Sequence, residues 1–393
     1  MSEVDSTVDD ETFRLQLREA FKAASPGKPG KSGEERRQWV RDYLANLHKV
    51  RAIGPSWPRE YGGMDLPFAK QVIYSEEAAK ARIPSQLGTG YQICGPTIIK
   101  YATEEQKQRW LPGLLTSEHS WSQGFSEPEA GSDLPNLRTS AVRDGDYYVV
   151  NGQKLWSSSA NFADRIFTLV RTGTPSEDQP KYWGISYLII DANLPGITIR
   201  PVKEMTGGTD FSEIFFDNVR VPVADRIGEE HLGWGLVRTS LGHERAAGTL
   251  NQALNYRRIF SEVKALAKEL GATNDAYVRQ QLADFEIRVR ILYVTGARTI
   301  ADITSKGEPG PASSISRLFV TSFEQDLHVF VVNMLGAYGM LARNDEHSIE
   351  KGRWVWGFLR TRASTIGAGT AEIQRNTVGE RVLGLPHEPA VRG

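Results

Sequence analysis

The repeat distance of apolar residues changes twice along this chain, and that pattern admits few folds. Residues 11–118 read at a helical period: 68–81 carry apolar side chains at three- and four-residue spacing, and Thr103-Glu104-Glu105-Gln106 is a capping box that opens another helix. Between Trp121 and Ile227 the period falls to two, with β-branched and aromatic residues gathered in short runs at 147–150, 166–170, 185–190 and 197–202. Asn151-Gly152, set between 147–150 and 153–156, predicts a two-residue hairpin turn, because both central positions of such a turn need positive φ. From Trp234 to Leu383 long helices return, broken by Gly/Pro stretches at 306–311 and 367–370. The expected fold is α+β and multidomain: an N-terminal α-helical domain over 1–118, a middle antiparallel β-barrel or sandwich domain over 119–233, and a C-terminal four-helix bundle over 234–393. Most αβ enzymes alternate their elements, so this order of helices, strands and helices is already selective.

Composition removes several function classes. With 47 basic and 48 acidic residues the chain has a formal net charge of -1, which gives no field to draw nucleic acid or an anionic membrane. Cys94 is the single cysteine, so neither an intrachain disulfide nor a cysteine-based zinc site can form. Residues 1–12 are acidic and polar, unlike a secretion signal or transit peptide, and no apolar run approaches membrane-spanning length, so a cytoplasmic location is expected. Apolar runs at 318–320, 329–332 and 354–359 point to an oligomer.

The most informative string is Gln123-Gly124-Phe125-Ser126-Glu127-Pro128-Glu129-Ala130-Gly131-Ser132-Asp133. As residues, it is a loop able to turn backbone N–H groups and hydroxyls toward a polar ligand edge, or simply a turn. Its Ser-Glu-Pro-x-Ala-Gly-Ser-Asp core resembles the flavin-binding loop of the acyl-CoA dehydrogenase family. The resemblance implies FAD as cofactor, with Phe125, Ser126 and Gly131 at the flavin ring and Ser132 serving both flavin and the substrate pantetheine. Further on, Lys154-Leu155-Trp156-Ser157-Ser158-Ser159 follows at the family spacing. Trp156 alone reads as a half-buried strand aromatic; by resemblance it packs on the flavin, while Ser157 and Ser158 belong to the cofactor site and the Ser158 hydroxyl bonds the ring near its reactive nitrogen, where it would stabilise developing charge.

Removal of an α-proton beside a thioester needs a general base, best a carboxylate shielded from water. Glu244 shares a helical face with Val237, Leu241, Ala247 and Gly248. Against such small apolar groups its pKa would rise above the ordinary value of about 4.3. The alternative is a carboxylate that pairs with an arginine in a helix contact. The C-terminal string Ile366-Gly367-Ala368-Gly369-Thr370-Ala371-Glu372-Ile373-Gln374-Arg375-Asn376 bears on this choice. It is similar to the family motif in which many members carry Glu directly before Gly-Thr, a position held here by Ala368. In the isovaleryl-CoA dehydrogenase branch the base sits on the earlier helix, and Leu241-Gly242-His243-Glu244-Arg245 matches that placement. The resemblance therefore implies Glu244 as base, with Gly242, Arg245, Ala368, Gly369 and Ser132 on the substrate side, and Thr370 and Glu372 on the ribityl and adenine arm of FAD. His243 lies about 100° around the helix and reads as a packed or surface histidine. Residues 371–383 are expected to form one helix ending at Gly384, its N-terminal N–H groups facing a pyrophosphate or carbonyl oxygen.

One departure stands out. The family's Arg-x-x-Phe-Gly motif, which reaches FAD of a neighbouring subunit, is absent from 261–272; Arg257, Arg258 and Phe260 come too early, and Asn333-Met334-Leu335-Gly336-Ala337 replaces Gln-x-Leu-Gly-Gly. The implied reaction is oxidation of an acyl-CoA to the trans-2-enoyl-CoA, with electrons passed to an electron-transfer flavoprotein. The assembly implied is a homodimer or homotetramer. The departure keeps open one subunit of a heterotetramer, resembling the α2β2 steroid-CoA enzymes of actinobacteria, or a non-catalytic scaffold subunit.

Overall fold

In the computed structural model the described residues are 4–246, 249–306, 310 and 313–387, and the side chains of 243–246 and 249 lie outside the description. The chain divides into two compact units, Met1–His243 and Glu244–Gly393.

The first unit opens with α1 (Asp10–Ala24), α2 (Gly33–Lys49), α3 (Phe68–Ala81), α4 (Gly90–Tyr101) and α5 (Glu104–Thr116). Thr103 caps α5 as its sequence requires: its hydroxyl accepts from the Gln106 N–H, and the Gln106 side chain accepts from the Thr103 N–H. The strands are β1 (Trp121–Gly124), β2 (Ser140–Asp144), β3 (Tyr147–Ser158), β4 (Arg165–Arg171), β5 (Ile185–Asp191), β6 (Ile197–Val202), β7 (Phe211–Pro222) and β8 (Arg226–Ile227). They form one sheet in the order β6-β7-β3-β2-β4-β5-β8, antiparallel except that β1 and the first residue of β2 pair parallel to β4. One face encloses Tyr148, Val150, Ile166, Leu188, Ile214 and Val221. The opposite face of β4 and β5 presents Phe167, Leu169, Tyr187 and Ile189 to the same core as the helices. That double burial explains why these strands read as nearly continuous apolar runs.

The expected hairpin at Asn151-Gly152 does not form. β3 runs through it, pairing Val150 with Val219 and Gly152 with Phe216 across a bulge. A long strand partner on one edge outweighs local turn preference. The extra residue of the bulge lies on β7, where Asn218 has a left-handed φ of 51°, and Gly152 stands opposite it, its φ of 146° and its contact with Thr139 leaving no space for a Cβ. The actual two-residue turn is Gly145-Asp146, between β2 and β3.

α6 (Gly233–Ala246) begins in this unit. Its first half is fixed by hydroxyls: Ser240 Oγ lies 2.7 Å from Thr97 Oγ1 on α4 and 3.4 Å from the Tyr187 hydroxyl on β5, and Thr239 meets Tyr101 at 3.1 Å.

The second unit contains α7 (Thr249–Glu269), α8 (Ala276–Lys306), α9 (Ser313–Met334), α10 (Arg353–Thr361) and α11 (Ala371–Thr377). Phe260, Phe285, Leu292, Phe323, Val331 and Trp354 draw α7, α8, α9 and α10 into a bundle. The apolar runs taken as signs of an oligomer are part of this core: Val320, Phe330, Val331 and Trp354 are buried. The apolar side chains left exposed are others, among them Ile287, Ile291 and Val294 on α8. The expected helix over 371–383 is α-helical only through Thr377 and finishes as a π-helical turn, Val378–Val382. No helix among the described residues is long and apolar enough to cross a membrane.

Glu77, 1% exposed, fastens α3 to α1. It accepts from Arg14 at 2.9 Å, Arg18 at 2.7 Å and Lys80 at 2.7 Å. Burial opposes its charge, but the three cations hold its carboxyl down at about 2, against an ordinary 4.5. A carboxyl depressed in the folded state contributes stability that is complete above its unfolded value and is lost as pH falls through its folded one. Denaturant midpoints of the native protein should therefore fall between pH 4.5 and about 2, by up to about 3 kcal/mol from this group. In Glu77→Gln that part of the acid limb should flatten.

Candidate active site

The Glu-Pro-x-Ala-Gly-Ser-Asp loop leaves β1 and is tied to β3 by a buried ion pair. Lys154, wholly buried, donates to Glu127 at 2.7 Å and to the Phe125 carbonyl at 3.2 Å. Glu127 also accepts from the backbone N–H groups of Arg138 at 2.6 Å and Thr139 at 2.9 Å, so one carboxylate gathers both ends of the loop. Burial pushes the Lys154 ammonium down to about 8, against the pull of Glu127. For Glu127 burial acts upward, but the Lys154 charge and the donated hydrogen bonds hold its carboxyl below the usual range. Both groups are thus ionised near neutrality. Neither residue carries a role in the sequence analysis; the available signal is a lysine at an inward-facing strand position, on the same alternation as Tyr148 and Val150.

Beyond Lys154, β3 itself bulges between Lys154 and Ser157. Trp156 takes a left-handed φ of 59° and stands 56% exposed, edge-on to Phe211. The Leu155 N–H donates to the Ser126 carbonyl at 2.9 Å, which sets the loop beside the bulge. Ser158 is half-buried at the strand end, with its carbonyl held by Ser122 at 2.8 Å, and Gly131 and Ser132 are exposed at the loop tip. The Phe125 ring is core, edge-on to Phe167 and Tyr187, so only its backbone remains for a ligand. Trp121, at the start of β1, is buried edge-on against Trp110 and is also core. Ser157 points inward, and its hydroxyl and that of its cross-strand neighbour Ser212 are buried without partners.

In the second unit the Ile366–Thr370 segment is clamped from behind. Gln374, 2% exposed, donates to the carbonyls of Ala368 at 3.0 Å and Gly369 at 3.3 Å, while Arg317 donates to those of Ser364 and Gly367, each at 2.9 Å. Ala368 has a left-handed φ of 56°. Gly369 has φ of 86°, a conformation that favours glycine, and a Cβ there would press on the Gln374 amide at 2.5 Å and disturb the clamp. Thr370 caps α11 by accepting from the Ile373 N–H, and Glu372 is exposed. On α7, Arg258 is held by Glu262 and Asn255, Phe260 is buried, and Arg257 is exposed. Glu244 lies on α6 with Gly242 buried beside it, but the side chains of His243, Glu244 and Arg245 lie outside the described residues.

Three family models match nearly the whole chain: acyl-CoA dehydrogenase N-terminal domain over 7–118, middle domain over 122–219 and C-terminal domain over 231–383. The chain belongs to the acyl-CoA dehydrogenase family. As such it is an oxidoreductase acting on CH–CH bonds, and a flavin is implied. Curated relatives include acyl-CoA dehydrogenase IpdE1 of Mycolicibacterium smegmatis, 36% identical over 92% of this chain and 91% of that one. IpdE1 of Mycobacterium tuberculosis is 35% identical over 97% of this chain and 99% of the relative. Among solved structures, the Tcur3481-Tcur3483 steroid ACAD aligns at a TM-score of 0.82 with 28% identity, covering 98% of this chain and all of that one. The ChsE4-ChsE5 complex from Mycobacterium tuberculosis aligns at 0.80 with 33% identity, covering 98% of this chain and 100% of the other.

The residues of the first unit suit a flavin. An exposed indole held out by a bulge offers a flat apolar face, and the adjoining loop offers hydroxyls at Ser126, Ser132 and Ser158 for a polar ring edge.

Because Glu127 neutralises a lysine that has no access to water, Glu127→Gln should cost about 3–5 kcal/mol in urea unfolding. Adding Lys154→Met should recover most of that loss, since an apolar side chain of similar length removes the uncompensated charge. Losses that simply add in the double variant would show that the two residues are not coupled.

Proposed function

We propose that this protein oxidises an acyl-CoA thioester to the trans-2-enoyl-CoA with FAD as cofactor, Glu244 acting as the base. The observation that carries the reading is the bulge that holds Trp156 in a left-handed conformation, exposed beside the Ser126 loop. A bound FAD would supply the acceptor for the substrate β-hydrogen, which would leave as hydride. The chain's own residues do the rest. Trp156 supplies the stacking face, the backbone at Phe125, Ser126 and Gly131 meets the ring edge, and the Ser158 hydroxyl donates to it. Ser157 is a neighbour of that site through its backbone, its side chain being turned into the sheet. Ser132 serves ring and pantetheine; Thr370 and Glu372 belong to the ribityl and adenine arm.

Proton removal falls to Glu244 because Ala368 has no group that can accept a proton. The loop at Ala368 and Gly369 is held by Gln374 with its backbone, not a side chain, as the feature it can present to a thioester. Gly242 and Arg245 complete the substrate side. Electrons then pass to an electron-transfer flavoprotein. In Glu244→Gln the purified protein should keep its yellow colour, while anaerobic bleaching by acyl-CoA slows by about 10²–10⁴-fold, the usual contribution of a general base. Undiminished bleaching would remove Glu244 from the mechanism.

A second reading is favoured by α7, where Arg258 is already committed to Glu262 and Asn255 and Phe260 to the core. The chain would then be one subunit of a heteromeric steroid-side-chain acyl-CoA dehydrogenase, as the two solved complexes are composed of paired chains by name. Protein purified alone should then carry little flavin and gain it on co-expression with a partner chain. Full flavin content in the lone chain would favour the homo-oligomer, whereas colourless protein under both conditions would leave only a scaffold role.

A further inference from the structure

The bundle of the second unit has a cavity of about 130 Å³ between the end of α8 and the first turn of α9, and no residue of the proposed reaction lines it. Its wall includes Thr295, Arg298 and Asp302 from α8 and Ser313 and Ser316 from α9. Ser316 is 2% exposed, and its hydroxyl has no hydrogen-bond partner. A buried hydroxyl left without a partner costs about 1–3 kcal/mol, so the arrangement calls for a polar occupant. α9 is 22 residues long, and its N-terminal turn brings the positive end of the helix dipole to the same cavity. Arg298 makes no ion pair or hydrogen bond with another described residue. The carboxylate of Asp302 is engaged by Lys306 at 3.0 Å. Among the described residues no group of three His, Cys, Asp or Glu could hold a metal ion.

We propose that this cavity binds a tetrahedral oxyanion, either inorganic phosphate or the terminal phosphate of a larger ligand. The volume is ample for such a group, since about 10–15 Å³ of this space already admits one water. Guanidinium, helix terminus and serine hydroxyl are all donors, the complement of a group made only of acceptors. The site stands whether or not the flavin reading does, because none of its residues belongs to that reading.

The test uses the full chain and inorganic phosphate, titrated at constant ionic strength in chloride and followed by ³¹P line broadening. Saturable binding is expected, weakened about tenfold or more in Arg298→Gln and by less in Ser316→Ala. Asp302→Asn should tighten binding a few-fold, because it removes a like charge and frees Lys306; a gain of this kind cannot come from misfolding. Adenosine 3′,5′-bisphosphate forms the second arm. Arg298-dependent binding tighter than that of phosphate identifies a terminal phosphate, and equal affinity identifies the free ion. No saturable binding of either probe, or binding indifferent to both Arg298→Gln and Asp302→Asn, would overturn the proposal and leave a cavity that holds water only.

Discussion

A lysine ammonium sealed inside a β-sheet cannot persist without a counter-charge, and much of the first unit is arranged around that requirement. Lys154 draws Glu127 inward, Glu127 collects the N–H groups of Arg138 and Thr139, and the loop between them is drawn closed on the strand. The tip of the loop is left exposed while its two ends are fixed. Two residues further along the same strand, the bulge turns Trp156 outward. The buried lysine and the exposed indole thus lie on one strand, and their relative placement is set by a single stretch of backbone.

The helix that carries Glu244 is fixed by different means. Ser240, one turn earlier, sits among the hydroxyls of Thr97 and Tyr187 with no water-exposed surface. Neutral hydroxyl pairs satisfy one another without introducing charge, so the anchoring of α6 leaves the local potential to be decided by other groups. An arginine or lysine in the same place would have depressed the pKa of any carboxylate nearby.

Architecture was legible because it depends on period, and period survives in a single sequence: α3 spans the residues its spacing predicted, and the double reversal from helix to strand to helix gave the fold class. The hairpin at Asn151-Gly152 was misread because turn preference is local, whereas pairing of β3 with β7 draws on residues some 60 positions away. Lys154 and Glu127 were invisible as a pair for the same reason. The π-helical turn after Thr377 is a matter of one hydrogen-bond offset, which no residue type signals reliably. Apolar runs on α9 and α10 were assigned to an outer surface because one sequence cannot say how much of a bundle's greasy surface its own helices consume.

Ala368 carries an evolutionary implication. The left-handed conformation is disfavoured for L-residues because of the Cβ atom alone, and Ala368 already bears that strain at φ 56°. Exchanging alanine for a longer side chain there adds almost nothing to the backbone penalty; only free volume beyond the methyl would limit it. If the proton acceptor can sit at either of two points in the chain, as the proposed role of Glu244 requires, such a position is a low barrier to relocation, since a carboxylate could be gained or surrendered by one substitution while the clamp from Gln374 keeps the main chain in place.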